Sequence, residues 1–391
     1  MFFWVEDDGE PFQVKIRLAY VVHGFEFGGL ERCVANLVNH LDPVNFEPHI
    51  ISLTCLGNAK EWVEAKNVNF VQLEKCTGND LGVYRRLSNY LKAERIRLVH
   101  SHNWGTLLEV AVACGWRKIP FVHAEHGLDF RKSSTGIKGA IRRRLMRWGM
   151  RRAACLVPIA QCVQRKMIEV VGTKGFRFDL IPNGIELPEG LGDVAFRNET
   201  RSRLGIAPDA TIFGSVGRLG DVKGFDQAIK AMSWISSRSE NCHMLLVGDG
   251  PVRQKLEALV LELGLTGRVH LVGAQKRVGA WLGVMDIFFN SSRSEAMNLA
   301  ILEAMAAGIP IVAMDVGDNR ILVEVQQRVG TVVPEGDVQQ FAEKLIDLAT
   351  DRELCVRFGH KGREAYERNY TLRKMSNSYT DLYLRTLAAL G

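Results

Sequence analysis

An α/β chain of two Rossmann-like domains is predicted by three features of the sequence. Its 391 residues exceed what one hydrophobic core usually supports, short β-branched runs alternate with helical segments throughout, and that alternation starts afresh in the second half. At 47% hydrophobic residues there is ample material for packed cores. In the first half the candidate strands are 16–22, 49–53, 69–73, 98–100, 121–124, 155–159 and 178–181. In the second they are 211–216, 243–247, 269–272, 287–290, 311–313 and 330–333. Such spacing of strands and helices is that of a parallel sheet covered on both faces. Between the halves the stretch IELPEGLGDVAFRNETRSRLGIAPDA is polar, rich in turn residues and without a sustained apolar period, which predicts a linker over 187–208. The domains are then 1–186 and 209–370, and the tail 371–391 is amphipathic and expected to be helical. Ligands of such sheets bind outside the carboxyl ends of the strands, so a site in a cleft between the domains is expected.

Composition narrows the class. Eight cysteines are scattered without CxxC pairs or metal-ligand spacing, which predicts buried thiols in a reducing, cytoplasmic setting and no disulfide or metal chemistry. The start MFFWVEDDGEPF lacks a basic segment and runs straight into acids, so it does not read as a signal peptide, and no stretch approaches a membrane span. The net charge of +6 is concentrated in 131–152, where nine Lys or Arg occur with no acid. Within it Ile137, Ile141, Leu145 and Trp148 recur at helical spacing, giving an apolar stripe beside a cationic face. Two readings stand: a helix resting on anionic lipid, or an ordinary solvated basic face. A nucleic-acid module is not recognisable around it, so no nucleic-acid partner is expected.

The segments that follow strands carry the chemistry. After the first strand, HGFEFGGLERCVANLV puts Gly28 and Gly29 at a strand-to-helix turn, where backbone can approach a ligand. After the fifth, HAEHGLDF places His126 and Gly127 in a loop at the same carboxyl end; a hydrogen-bonded histidine with no ligand role is the other reading. The first strand of the second half ends in GSVGRLGDVKGFDQAI, with Arg218 and Lys223 five residues apart around a turn. Arg supplies a planar fork and Lys a compact point charge, and both suit a leaving diphosphate. The next strand ends in VGDGP, where Gly248 and Gly250 permit close packing or ligand approach.

The run EAMNLAILEAMAAGIPIVA predicts a loop holding Glu295, a helix over 298–307 closed by Gly308 and Pro310, and a buried strand. The backbone N–H groups of Asn298 and Leu299 at that helix start suit a diphosphate, and Glu303 further along suits a diol such as ribose. Two surface glutamates on an Ala-rich helix are the alternative. The combination points to a nucleotide sugar.

Taken as an ordered set, GGLE, HG, PNGI, GRL followed by KG, VGDGP and ExxxxxxxE resembles the family 4 retaining glycosyltransferases over about 16–390. The resemblance implies the two-domain GT-B fold, with the last helix crossing back to complete the first domain. It implies a donor held mainly on the second domain and an acceptor mainly on the first. The implied reaction moves a sugar from a UDP- or GDP-sugar to a glycan or lipid-linked acceptor, with retention of configuration and no cofactor or essential metal. Arg218 and Lys223 would then hold the diphosphate, Glu303 the ribose, and Glu295 the sugar hydroxyls. His126 would sit near the reacting carbon, and Gly29 would admit the phosphates. The lack of a clear Asp-x-Asp motif agrees with a metal-free site. Front-face attack is the expected route to retention, and Glu295 is the candidate nucleophile for a double displacement. Two departures are visible: Ala296 and Met297 stand where relatives have Gly-Phe, and Ile321 stands where they often have Glu. The acceptor side, with the basic stretch, leads to an expectation of peripheral membrane association and cell-surface polysaccharide synthesis. A non-catalytic nucleotide-sugar-binding protein and a nucleotide-sugar 2-epimerase are the alternatives; a dehydrogenase is disfavoured because no GxGxxG follows the first strand.

Overall fold

The computed structural model describes residues 6–7, 10–11, 15–78, 80–128, 136–172 and 176–389, so 131–135 of the basic segment lie outside the described residues. The chain divides into two compact units, 1–183 with 372–391, and 184–371.

The first unit opens with a small hairpin, β1 (Glu6–Asp7) and β2 (Glu10–Pro11), which the sequence did not suggest. Its sheet holds β3 (Ile16–Val22), β4 (Phe46–Ser52), β5 (Asn69–Gln72), β6 (Leu98–His102), β7 (Phe121–Glu125) and β8 (Cys155–Pro158). The strand order is β5-β4-β3-β6-β7-β8, all parallel. Helices α1 (Gly29–Asn39), α2 (Leu81–Ala93), α3 (Trp104–Arg117) and α4 (Ile137–Met150) lie in the connections between strands, and α5 (Gln161–Val171) follows β8. Strands covered on both faces read as nearly unbroken apolar runs, and β3 is buried from Leu18 to Val22. The last helix, Leu372–Ala388, returns to this unit and places Leu372, Met375, Tyr379, Leu382 and Tyr383 in the same core as Leu18, Tyr20, Val34 and Leu98.

The expected strand 178–181 reduces to a single bridge between Leu156 and Phe178. Its backbone follows β8 for three hydrogen bonds, but the neighbour there is Pro158, which has no N–H to extend the ladder.

In the second unit β9 (Thr211–Val216), β10 (Cys242–Val247), β11 (Val269–Leu271), β12 (Ile287–Asn290), β13 (Ile311–Met314) and β14 (Gly330–Val333) form a parallel sheet ordered β11-β10-β9-β12-β13-β14. The helices are α6 (Val194–Arg203), α7 (Phe225–Ser236), α8 (Arg253–Glu262), α9 (Val278–Leu282), α10 (Leu299–Ala307), α11 (Val338–Thr350) and α12 (Arg352–Asn369). The stretch 187–208, expected to be a linker, belongs to this unit and carries α6. Asp193 caps α6 by accepting from the Phe196 N–H, and Arg197 and Arg201 reach Asp286 at 2.6 and 3.4 Å. A helix docked through ion pairs shows little apolar period, which is why pattern alone missed it.

The cysteines are all free. Cys55 and Cys76 are exposed rather than buried, because each lies in a loop beyond a strand end.

Candidate functional site

At the carboxyl end of the second unit's sheet, four loops are stitched together. The loop after β9 is held by Leu219, fully buried, whose N–H donates to the Asp249 carbonyl at 2.9 Å and whose carbonyl accepts from the Val252 N–H at 3.2 Å. Gly248 has φ +147, and a Cβ there would stand 1.9 Å from the Gly217 carbonyl oxygen. Its missing side chain is thus required by backbone packing between the β9 and β10 loops.

Beyond Leu219 a short 3-10 turn, Asp221–Lys223, is stopped by Gly224 in the left-handed region, and α7 begins. The loop after β12 lies against this turn. Arg293 grips Asp226 through two bonds of 2.8 and 2.7 Å, donates to the Asp221 carbonyl, and gives its N–H to the Val222 carbonyl at 2.8 Å. The Ser291 hydroxyl donates to the Lys223 carbonyl at 3.0 Å. These bonds bring Lys223 Nζ to 2.6 Å from Glu295 Oε1, where the Ser292 hydroxyl (2.8 Å) and Asn298 Nδ2 (3.3 Å) also donate.

The loop after β13 closes around the same glutamate. Gly317, at φ +58, lies so close that a Cβ would stand 2.1 Å from the Glu295 carbonyl oxygen. Asn319 ties this loop to the end of β12 by donating to Asn290 Oδ1 and to the Met314 carbonyl, both at 2.9 Å. Asn290 in turn donates to the Ser292 hydroxyl at 3.1 Å. None of Asn290, Ser292, Arg293, Gly317 and Asn319 had been singled out by motif. Arg293 and Ser292 stand next to Glu295 in the chain, which is the signal that was available.

Asn298 is the N-cap of α10 rather than its first residue, its Oδ1 accepting from the Ala300 N–H at 2.9 Å. Its side chain is therefore engaged within the protein, while Leu299 opens the helix whose first-turn N–H groups face outward along the axis. Glu303, one turn on, is half-buried and has no hydrogen-bond partner among the described residues. Burial pushes its carboxyl up to about 7, with the Lys223 charge pulling the other way. Arg218 is exposed and meets no acid within ion-pair distance among the described residues. Ile321 is half-buried and opens a single π-helical turn, Ile321–Val325.

The remaining predicted residues lie in the first unit. Gly28 caps α1 in an extended conformation, and a Cβ on Gly29 would meet nothing within 4 Å. His126 follows β7; its N–H donates to Asn103 Oδ1 at 2.9 Å and its Nε2 lies 3.0 Å from His102 Nδ1. Asn103 holds φ +57 to do this, a conformation uncommon for a non-glycine residue. Behind them His100 Nδ1 meets the Tyr383 hydroxyl at 2.8 Å, and the Ser101 hydroxyl meets His123 Nδ1 at 2.7 Å. Burial lowers His126 to about 4 and His102 well below the ordinary range, so both rings are neutral at pH 7. Glu125, fully enclosed beside them, is pushed well above the carboxylate range by the same cause. Among the described residues, no cluster of three or more His, Cys, Asp or Glu could hold a metal ion.

Two family profiles match the chain: Glycosyltransferase Family 4 over 27–188, and Glycosyl transferases group 1 over 196–365. A lipopolysaccharide core biosynthesis glycosyltransferase of Rhizobium meliloti is 30% identical over 198 residues, 48% of this chain and 53% of its own length. The 2-deoxystreptamine glucosyltransferase of Streptomyces kanamyceticus is 28% identical over 44% of this chain and 45% of its own. The chain thus spans about half the length of these first curated relatives. A longer match, 23% identical over 76% of this chain and 78% of the relative, is to an Escherichia coli UDP-Gal:alpha-D-GlcNAc-diphosphoundecaprenol alpha-1,3-galactosyltransferase. Among solved structures, a Rickettsia africae glycosyltransferase superposes with TM-score 0.81 at 17% identity, covering 95% of this chain and 99% of that one. Anabaena HepE, solved with UDP and glucose, superposes with TM-score 0.78 at 18% identity, covering 94% and 99%. The fold of two Rossmann-like domains is shared with these GT-B glycosyltransferases.

Proposed function

Since this chain belongs to the family 4 glycosyltransferases, with both of the family's profiles represented along it, we propose that it is a retaining, metal-independent glycosyltransferase. It moves a sugar from a UDP- or GDP-sugar to a glycan or lipid-linked acceptor in cell-surface polysaccharide assembly. The observation that carries this reading is the convergence of Lys223, Glu295 and Glu303 at the start of α10. The relatives reported above bear transferase names and favour neither the epimerase nor the non-catalytic reading. A neighbour solved with UDP and glucose supports a UDP-sugar, and the E. coli galactosyltransferase supports a lipid-linked acceptor.

The chemistry follows from charge. Departure of a nucleoside diphosphate builds negative charge on its outer phosphate. Arg218 and Lys223, with the first-turn N–H groups of α10, supply positive potential there. Lys223 is neutralised by Glu295 before the donor arrives and exchanges that partner, wholly or in part, for phosphate oxygens. Glu303 accepts from the ribose diol, the hydroxyls supplying donors that its carboxylate lacks within the protein.

Glu295 suits hydroxyl binding better than nucleophilic attack. Three donors converge on its Oε1 and withdraw charge from the carboxylate, which weakens it as a nucleophile while leaving Oε2 to accept. Attack from the front face, with the departing phosphate taking the acceptor proton, is therefore the route we favour. Neutral His126 is able to share a hydrogen bond with the donor sugar without adding a positive charge.

The test is release of free nucleoside diphosphate from a panel of UDP-, GDP- and ADP-sugars with chelator present, beside a Lys223→Ala control. Release from one donor, reduced about ten- to a hundredfold or more in the control, is expected. Absence of both release and nucleotide binding across the panel would overturn the reading.

A further inference from the structure

Helix α4 buries one apolar face and leaves a second apolar stripe exposed beside its arginines. Met146 and Met150 point inward at 6% and 1% exposure, and Gly149 packs on Leu107, where a Cβ would come to 3.1 Å. The stripe Ile137, Ile141, Leu145 and Trp148 faces out instead, at 81%, 55%, 46% and 40% exposure. Scattered exposed apolar residues need no explanation, but four aligned on one 14-residue helix do. Flanking them, Arg142, Arg143, Arg144 and Arg147 are exposed, and α4 contains no acid.

The neighbouring helix deepens the same field. A groove of about 700 Å³ between α4 and α5 is lined by Arg143, Arg144, Arg147, Trp148, Arg151 and Glu169. Glu169, the one acid lining it, is already paired with Lys166 at 2.6 Å. The Arg152 guanidinium stacks 4.9 Å over the Trp148 ring, holding indole and charge side by side as at a membrane interface. No described helix is long and apolar enough to cross a membrane.

We propose that α4 lies in the interface of an anionic bilayer, its aliphatic stripe among the acyl chains and its arginines at the headgroup phosphates. Charge complementarity selects this occupant, because a neutral surface would leave the arginines desolvated and unpaired, whereas anionic headgroups satisfy them. The parallel order of β7 and β8 starts α4 at the carboxyl edge of the first unit's sheet, the edge that carries His126. A bilayer under α4 thus brings a lipid-linked acceptor to that edge; this last step rests on the glycosyltransferase reading, and the docking itself does not.

The experiment is sedimentation of the full chain with vesicles of equal phosphatidylglycerol and phosphatidylcholine, against phosphatidylcholine alone, at low and high salt and without nucleotide. Binding only to the anionic vesicles at low salt is expected. It should fall about tenfold or more when Arg142, Arg143, Arg144 and Arg147 become Ser. A similar fall is expected when Ile137, Ile141 and Leu145 become Ser. Both variants should keep the parent's thermal unfolding, since every substituted side chain is exposed. Should either unfold, the protein with Trp148→Phe serves instead, because the vesicle-induced blue shift of tryptophan emission must disappear in it. No binding at low salt, or binding unchanged by the arginine replacements, would overturn the proposal. So would full binding by the aliphatic variant, since that result fits a soluble polyanion or an acidic protein. Because no sugar donor is present, this outcome is independent of the nucleotide-release test.

Discussion

Lys223 Nζ stands 2.6 Å from Glu295 Oε1, and the charge of the same lysine acts on the carboxyl of Glu303. One cation is thus set between two acids in different surroundings, the first paired with it directly, the second raised by burial to about 7 and so divided between its protonated and ionised forms near neutral pH. On the function proposed above, a diphosphate at Lys223 would compete with the first acid and, by drawing the lysine away, change the field at the second.

Removing that cation has a predictable effect. Lys223→Ala takes away a charge-assisted hydrogen bond worth roughly 1.5–3 kcal/mol, so turnover should fall about ten- to a hundredfold or more. It also leaves Glu295 with its neutral donors alone, so Glu295→Gln added to Lys223→Ala should cost less than the two changes summed. Steady-state kinetics of the two single variants and the double variant checks this. Additive losses would mean that the pair does not act as a unit.

Glu303 predicts a pH dependence. Its folded-state pKa is raised from 4.5 to about 7, so the folded protein holds more protons than the unfolded chain across that interval. Stability accordingly falls as pH rises between these values, by linkage. Glu303→Gln should flatten that slope in chemical unfolding measured at several pH values. Nucleotide affinity should run the other way, strengthening as pH rises through 7 and the carboxylate ionises, and the Gln variant should lose this trend as well.

Two glycines should separate packing from binding. Gly317→Ala forces a Cβ against the Glu295 carbonyl from a left-handed backbone, a clash expected to destabilise by about 2 kcal/mol or more. Gly29→Ala meets nothing within 4 Å, so thermal unfolding should shift by no more than about 0.5 kcal/mol equivalent while donor affinity drops several-fold. Unchanged donor affinity in the Gly29 variant would remove that residue from the ligand's path.

His102 should matter through His126. With His102 Nδ1 at 3.0 Å from His126 Nε2, His102→Leu frees the His126 ring, whereas His102→Asn keeps a donor near the same place. The Leu variant is expected to lose about tenfold in turnover, with the Asn variant between it and the parent. Nitrogen-15 shifts of the His126 ring report its tautomer directly. Identical shifts in the parent and the Leu variant would show that His102 does not set it.

How much of this was legible in the sequence depends on the range of the interaction involved. Strands such as β3, β9, β12 and β14 could be read to the residue, because burial on both faces writes itself as a continuous apolar run. The meeting of Lys223 with Glu295 could be anticipated from their places in the loops after β9 and β12, whereas Glu303 lies midway along α10. Helix α6 could not, because Arg197 and Arg201 find Asp286 more than eighty residues away, and no local period records such a pairing. The same holds for Asn319 and Gly317, whose partners Asn290 and Glu295 are adjacent only once β12 and β13 pair. The outward stripe of α4 was visible as a stripe, but its direction was not, since periodicity gives a face and leaves open what the face meets.

The return of the last helix to the first unit has a consequence for biogenesis. Tyr379 and Tyr383 close a core begun by Leu18 and Tyr20, and the Tyr383 hydroxyl is the partner of His100. On the ribosome the first unit is therefore made first and finished last. All of the second unit, 184–371, emerges and is free to fold before the residues that complete its predecessor are translated. During that interval the pocket meant for the last helix is an open apolar surface on a nascent chain, and it is there that holding by a chaperone would be of most use.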